Sequence, residues 1–265
     1  MNAATLSGMI FGVIVLAWAI LGATGEAQIF LYGPGIAIVL GGVIAATLIA
    51  YPLQQVLGVF GTFGKVLRRE DLPVASYIAE IHYLAQQAIS GDPMRLEKEL
   101  DGVENYFLKD GLRMVVDRYS PDKLRAILST AIINAQAREQ VQADILRTMA
   151  KLAPAFGMVG TLIGLIVMFK HMQGGVAEVG AGMATAMMTT FYGLLLAYLL
   201  FLPIALKLER RIDDRVRLMT VIMEGLILVA QKTPPELVMD ELKAFLPPAR
   251  WQDIKVRQFR KGGGG

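Results

Sequence analysis

Four uncharged apolar blocks alternate with charged stretches along the chain: Leu6–Gly22, Phe30–Leu53, Leu152–Phe169 and Gly180–Leu206. None of them contains Asp, Glu, Lys, Arg or His. A helix needs about 20 apolar residues to cross roughly 30 Å of hydrocarbon, and each block approaches that length. The pattern predicts an all-α, polytopic membrane protein with four transmembrane helices. The first block lacks a basic leader and a clear small-residue cleavage site, so it reads as a retained helix rather than a signal peptide.

The stretches between the blocks also read as helices. Asp71-Leu72-Pro73 predicts a helix start, followed by Ile78, Ile81 and Leu84 at helical spacing. Gly91-Asp92-Pro93 ends that helix, and a second one is expected to carry Leu96, Leu100, Val103, Tyr106 and Phe107. Ser120-Pro121-Asp122 places a capping serine before a proline at the first helical position. No breaker follows until Pro154, so the third span is expected to extend far out of the bilayer. The fourth does the same, through Arg217 to about Gln231. Thr233-Pro234-Pro235 starts a short amphipathic helix that ends at Pro247-Pro248. The expected division is a first transmembrane hairpin over 1–53, a cytoplasmic helical insert over 54–151, a second hairpin over 152–206, and C-terminal cytoplasmic helices over 207–261. The closing Gly262–Gly265 reads as an appended linker.

Composition sharpens this picture. Only 18% of the residues are charged, against about 25% in soluble domains, and those charges are segregated. Lys65, Arg68, Arg69, Arg95, Lys98, Arg113, Arg118, Arg125, Arg138 and Arg147 lie in the long insert, and Lys207, Arg210, Arg211, Arg215 and Arg217 follow the last block. The short connections carry little: Glu26 in one, Lys170 and Glu178 in the other. The positive-inside rule places the insert and both termini in the cytoplasm. The absence of cysteine excludes a disulfide framework, a thiol nucleophile and a thiolate metal site. With no phosphate loop, zinc spacing or hydrolase elbow, the chain does not read as an enzyme, and neither a cofactor nor a nucleic-acid partner is expected.

Candidate chemistry is confined to hydroxyls, prolines and glycines. A charged residue within the membrane usually marks an ion path. Without one, a self-contained carrier is disfavoured, while a path shared with a second subunit stays open. Thr161 in the third block and Thr185, Thr189 and Thr190 in the fourth, with carbonyls freed near Pro154, offer oxygen atoms for such a path. The alternative is that these threonines bond back to their own helices or join neighbours. Gly160 and Gly164 form one GxxxG pair and Gly8 and Gly12 another, a spacing that lets helix backbones approach. His82 reads as a partly exposed packing residue, and His171 sits at the outer end of the third block. Trp18, Tyr32 and Tyr51 fit interfacial or packing roles. The methionines fit gap-filling within a bundle.

Two motifs carry a resemblance. Pro154-Ala-Phe-Gly157-Met-Val-Gly160-Thr161-Leu-Ile-Gly164-Leu165 is followed by Met183-Ala-Thr-Ala-Met-Met-Thr189-Thr190-Phe-Tyr-Gly193 and Pro203. Together with Phe107-Leu-Lys-Asp-Gly-Leu-Arg-Met-Val-Val-Asp117 and the four-span topology, they resemble the MotA/PomA family of flagellar stator subunits, over nearly the whole chain. The wider ExbB and TolQ relatives have three spans, so the first hairpin favours the flagellar branch. The resemblance implies an ion-conducting subunit of the bacterial inner membrane, in which five copies surround two copies of a single-span MotB/PomB-like partner. The partner brings the essential intramembrane aspartate, and the insert drives a FliG-like rotor protein. It implies an ion pathway along Pro154, Thr161, Thr189, Thr190 and Pro203, helix packing through Gly157, Gly160, Gly164 and Gly193, and rotor contact through Arg95, Glu97, Lys98 and Glu99. Threonine at position 161 leans to Na+ over H+ as the transported ion.

Two positions depart from the family pattern. Lys151 stands where an aspartate is usual, and Ile89 where an arginine precedes Glu97 by eight residues. These departures keep open an ExbB/TolQ-like energiser of a non-flagellar process. A non-conducting membrane scaffold is the third reading, with the glycines and threonines serving packing alone.

Overall fold

The computed structural model describes residues 3–24, 27–67, 72–89, 93–172 and 176–254. Among them there is no strand. The chain divides into two compact units, residues 1–70 with 138–211 and residues 71–137 with 212–265. The units cut across the division expected from the apolar blocks, because two long helices belong to both.

The first unit contains α1 (Ala3–Thr24), α2 (Gly33–Ala50), α3 (Leu53–Leu67), the later part of α7 (Pro121–Lys170), α8 (Val176–Leu195) and the first part of α9 (Leu202–Ala230). Among the described residues, three helices are long and apolar enough to cross a membrane: α2, α7 and the run from Val179 to Ala230. The first expected span lies on α1, whose apolar stretch Ile10–Gly22 is shorter. Its large side chains face outward, Phe11 at 68% and Trp18 at 76% exposure, as lipid-facing residues do. The core of this unit is Val43, Val59, Ile145, Leu146, Ala153, Ala197, Phe201 and Ala205, with neighbours.

Two features of this unit differ from the sequence reading. Pro52 ends α2, and an amphipathic helix, α3, follows where no element was expected. Val56, Val59 and Thr62 form its buried face. Thr62 Oγ1 is hydrogen-bonded to Gln142 of α7 and to the Gly58 carbonyl (3.1 Å). The fourth span is also not one regular helix. Residues Leu196–Phe201 form a π turn between α8 and α9, and the Leu202 N–H reaches the Ala197 carbonyl five residues back. Pro203 supplies the reason: it has no N–H for the Leu199 carbonyl four residues earlier, and its ring crowds that turn. Widening the turn relieves the clash.

The second unit contains α4 (Val74–Ile89), α5 (Pro93–Glu99), α6 (Tyr106–Val116), the start of α7, the later part of α9 and α10 (Pro235–Lys243). Its core joins Ile78, Ile81 and Leu84 to Leu108, Leu112, Leu124, Leu128, Ile222, Leu226 and Leu242. Asp71 and Gly91 lie outside the described residues. The single helix expected to run from Leu96 through Phe107 is split. A short 3₁₀ turn, Leu100–Gly102, closes α5, and Asn105 starts α6 by accepting from the Phe107 and Leu108 N–H groups at 3.0 and 3.1 Å. An asparagine at that position satisfies orphan donors of the new helix. Ser120 caps α7 as expected, accepting from the Lys123 N–H at 3.4 Å. The last helix stops at Lys243, short of the prolines. There the Trp251 Nε1–H donates to the Lys243 and Leu246 carbonyls, at 3.1 and 3.2 Å, and ends it. His82 is buried at 3% exposure rather than partly exposed. Its Nε2 lies 3.8 Å from a Glu236 carboxylate oxygen, and its Nδ1 has no partner.

Candidate functional site

The chemistry-bearing residues gather where α7 lies against α8. Small residues make this contact possible. A side chain at Gly157 would meet the Thr189 carbonyl at 3.0 Å, and one at Gly164 would meet the Ala186 nitrogen at 2.5 Å. A side chain at Gly193 would likewise meet the Ala153 carbonyl at 2.6 Å and the Pro154 Cα at 3.2 Å. Gly160 receives the side chain of Thr189. All four glycines assigned to packing therefore lie on the contact. Gly182, which the sequence reading left out, joins them against the backbone of Met168. The Gly8–Gly12 pair behaves differently: Gly12 faces Leu199, while Gly8 has nothing within 4 Å.

Such close backbones bring hydroxyls into reach across the seam. Thr161 Oγ1 lies 2.6 Å from Thr190 Oγ1. Thr161 also reaches the Gly157 and Ala186 carbonyls, at 3.1 and 3.2 Å. Thr190 reaches the Ala186 carbonyl at 3.3 Å, and Thr189 reaches it at 3.1 Å. A hydroxyl has one hydrogen and two lone pairs, so these contacts cannot all be made at once. At 2.6 Å one of the two must donate to the other, while its neighbour turns its hydrogen back to its own helix, and lone pairs are left over on both oxygens. The two readings of the threonines are thus compatible: bonding back to the helix is what frees an oxygen for another ligand.

Thr161 and Thr190 line an open groove of about 510 Å³ with Leu165, Met183, Ala186, Met187, Phe191 and Leu194. Its wall is apolar apart from these two hydroxyls. Thr189 is not in that wall; it is fully buried, bonded to the Thr185 carbonyl at 3.0 Å and seated on Gly160. Pro154 lies about two turns before Thr161 on α7, in an unbroken helix, and leaves the Ala150 carbonyl without its usual helix donor. Pro203 is placed just past the π turn. Arg95, Glu97 and Lys98 are exposed on α5 of the second unit, around buried Leu96. Glu99 is half-buried and accepts from the Tyr83 hydroxyl at 2.8 Å.

The sequence signature of the MotA/TolQ/ExbB proton channel family matches residues 99–221, which take in the whole α7–α8 contact. Motility protein A of Borreliella burgdorferi is 36% identical over 185 residues, covering 70% of this chain and 71% of that protein. The chain belongs to the MotA/TolQ/ExbB proton channel family. Chemotaxis protein PomA of Vibrio alginolyticus is 32% identical over 248 residues, 93% of this chain and 96% of that one. A solved structure of the flagellar MotAB stator complex from Bacillus subtilis superposes with a TM-score of 0.84 at 28% identity, covering 94% of this chain and 97% of the other. Membership of a membrane channel family accounts for the uncharged blocks.

Among the described residues, sequence reasoning missed one polar cluster beside this contact. The N–H of Tyr32, at the start of α2, donates to the hydroxyl of Tyr192 on α8, which donates to the Phe30 carbonyl, and Tyr32 Oη reaches Thr185. A tyrosine at a span end ordinarily signals an interface anchor, and nothing in the spacing distinguishes an anchor from a tie between helices.

Proposed function

We propose that this chain is the ion-channel subunit of a flagellar motor stator, working with a single-span MotB/PomB-like partner in the bacterial inner membrane. The observation that carries this is the Thr161–Thr190 hydroxyl pair, 2.6 Å apart in the wall of an apolar groove. The four apolar blocks hold no Asp, Glu, Lys, Arg or His, and a cation in an apolar surround requires a compensating charge. In this reading the partner brings the carboxylate to the groove, and the two hydroxyls and the Ala186 carbonyl complete the path. Threonine at position 161, the residue the resemblance associates with sodium-driven members, favours Na+ over H+. Five copies surround two of the partner, both termini are cytoplasmic, and Arg95, Glu97, Lys98 and Glu99 contact a FliG-like rotor. The exposure of the first three on α5 supports that role.

Thr190→Val is the decisive variant, because valine keeps the shape of threonine and removes the oxygen. Expressed with the partner in a strain lacking its own stator, Thr190→Val and Pro154→Ala insert in the membrane but do not restore swimming. Normal swimming in either would count heavily against the proposal. Failure of the unaltered chain to swim there, while it supports an ion-dependent uptake process, would favour the ExbB/TolQ-like reading kept open by Lys151 and Ile89.

A further inference from the structure

We infer that Tyr32 and Tyr192 are positioning residues for the ion path: their hydroxyls fasten the start of α2 to α8 and so hold Thr190 in register with Thr161. The inference rests on the ion-path reading and adds residues to it from outside the family's matched segment at one end, since Tyr32 precedes residues 99–221.

The hydrogens in this cluster can be assigned from the geometry. Tyr192 Oη lies 2.6 Å from the Phe30 carbonyl, which only accepts, so the phenol donates there. Its lone pair then accepts the Tyr32 N–H at 2.7 Å. Thr185 donates to the Ala181 carbonyl at 3.0 Å on its own helix. Its contact with Tyr32 Oη, at 2.7 Å, therefore runs from the tyrosine to the threonine. Every hydroxyl in the cluster is satisfied, and each of the three bonds joins segments more than 150 residues apart. The Tyr32 N–H belongs to the cap residue of α2, which has no side-chain cap of its own. The start of a helix leaves orphan donors, and Tyr192 answers the one at Tyr32.

Packing reinforces the tie. Gly35 is buried on α2, and a Cβ there would lie 3.0 Å from the Tyr32 ring, 3.2 Å from the Tyr192 ring and 3.4 Å from the Thr189 methyl. α2 therefore rests on the face of α8 that carries Thr185, Thr189 and Tyr192. The adjoining face of α8 carries Thr190 toward Thr161. A rotation of α8 that loosened the tyrosines would carry Thr190 with it, and a hydrogen bond weakens steeply once its angle is lost. Directional bonds at this half-buried polar cluster set the angle more tightly than packing alone.

The test uses the full chain with its partner in a stator-deleted strain, with swimming speed measured against the concentration of the driving ion. Tyr192→Phe and Tyr32→Phe keep the rings and lose the hydroxyls. Both are expected to raise the half-saturating ion concentration severalfold while their membrane levels match the unaltered chain. Thr185→Ser, which keeps the acceptor, behaves like the unaltered chain, and Thr185→Val behaves like Tyr32→Phe. An unchanged half-saturating concentration in the phenylalanine variants, whatever their top speed, overturns the inference. So does a Thr185→Val indistinguishable from Thr185→Ser, and this pair decides the matter if a tyrosine variant fails to reach the membrane. Thr190→Val separates the two levels of argument. If it swims normally the ion-path reading itself fails; if it is immotile and the clasp variants are unshifted, only the clasp is wrong.

Discussion

Thr161 has three acceptors within reach and one hydrogen to give. Under the proposed ion path, that surplus leaves no hydroxyl unsatisfied whether or not a cation is bound. Replacing Thr161 by alanine removes one oxygen from the groove and leaves Thr190 bonded to Ala186. Swimming speed in that variant is expected to lose its dependence on external sodium, measured at fixed pH. Elsewhere a single side chain does structural work of known size. Asn105 satisfies two N–H groups at the start of α6. Asn105→Ala should destabilise the helices of the second unit by about 1 kcal/mol, read as a lower thermal midpoint in detergent, with Asn105→Asp close to the unaltered protein.

At the scale of elements, the α7–α8 contact depends on an absence of side chains. A methyl at Gly164 would sit 2.5 Å from one backbone atom of Ala186 and 2.9 Å from another, and backbone cannot move aside as a flexible side chain can. Gly164→Ala is expected to part the helices, abolish swimming and weaken assembly on a native gel. Gly8→Ala carries the same change on a glycine of the same spacing pattern, with nothing within 4 Å, and should swim normally. The π turn before Pro203 adds a second device: it re-aims the chain between α8 and α9 without interrupting the helix, which a proline in a regular turn would do.

For the whole molecule, titration offers a test of how the long helices are tied outside the spans. Arg147 and Glu209 form a bidentate pair between α7 and α9, with the second bond at 2.7 Å. The guanidinium hydrogen bonds hold the Glu209 carboxyl below its ordinary value, with burial opposing. A carboxylate lowered in the folded state stabilises it fully above the unfolded value, and that contribution is lost as pH falls through the folded one. Acidification from about pH 6 to about pH 3 should therefore lower the thermal midpoint more in the unaltered protein than in Glu209→Gln. The pair is partly exposed, so the difference is expected to be small and to shrink in salt. Native mass spectrometry of the chain with its partner is the matching test of assembly. Five copies with two of the partner are expected, and a monomer that ignores the partner would favour the scaffold reading.

The sequence by itself determined the helical class, the apolar segments and the long continuations past Pro154 and Leu206. These follow from hydrophobic periodicity and from the positions of breakers such as Ser120-Pro121, all of which act within a few residues of themselves. Spacing also pointed to Gly160 and Gly164, and the absence of charge to the threonines, while the family resemblance added Gly157 and Gly193. It overlooked Asn105 as a cap inside a periodic stretch, α3 behind Pro52, and the burial of His82, because each depends on what lies opposite. Only the tertiary structure decided which hydroxyl faces which. Thr189 and Thr190 are neighbours in sequence, yet one is sealed against Gly160 and the other opens to the groove, since adjacent residues on a helix point about 100° apart. The tie between Tyr32 and Tyr192 was likewise invisible, because a hydrogen bond across 160 positions leaves no periodicity to read.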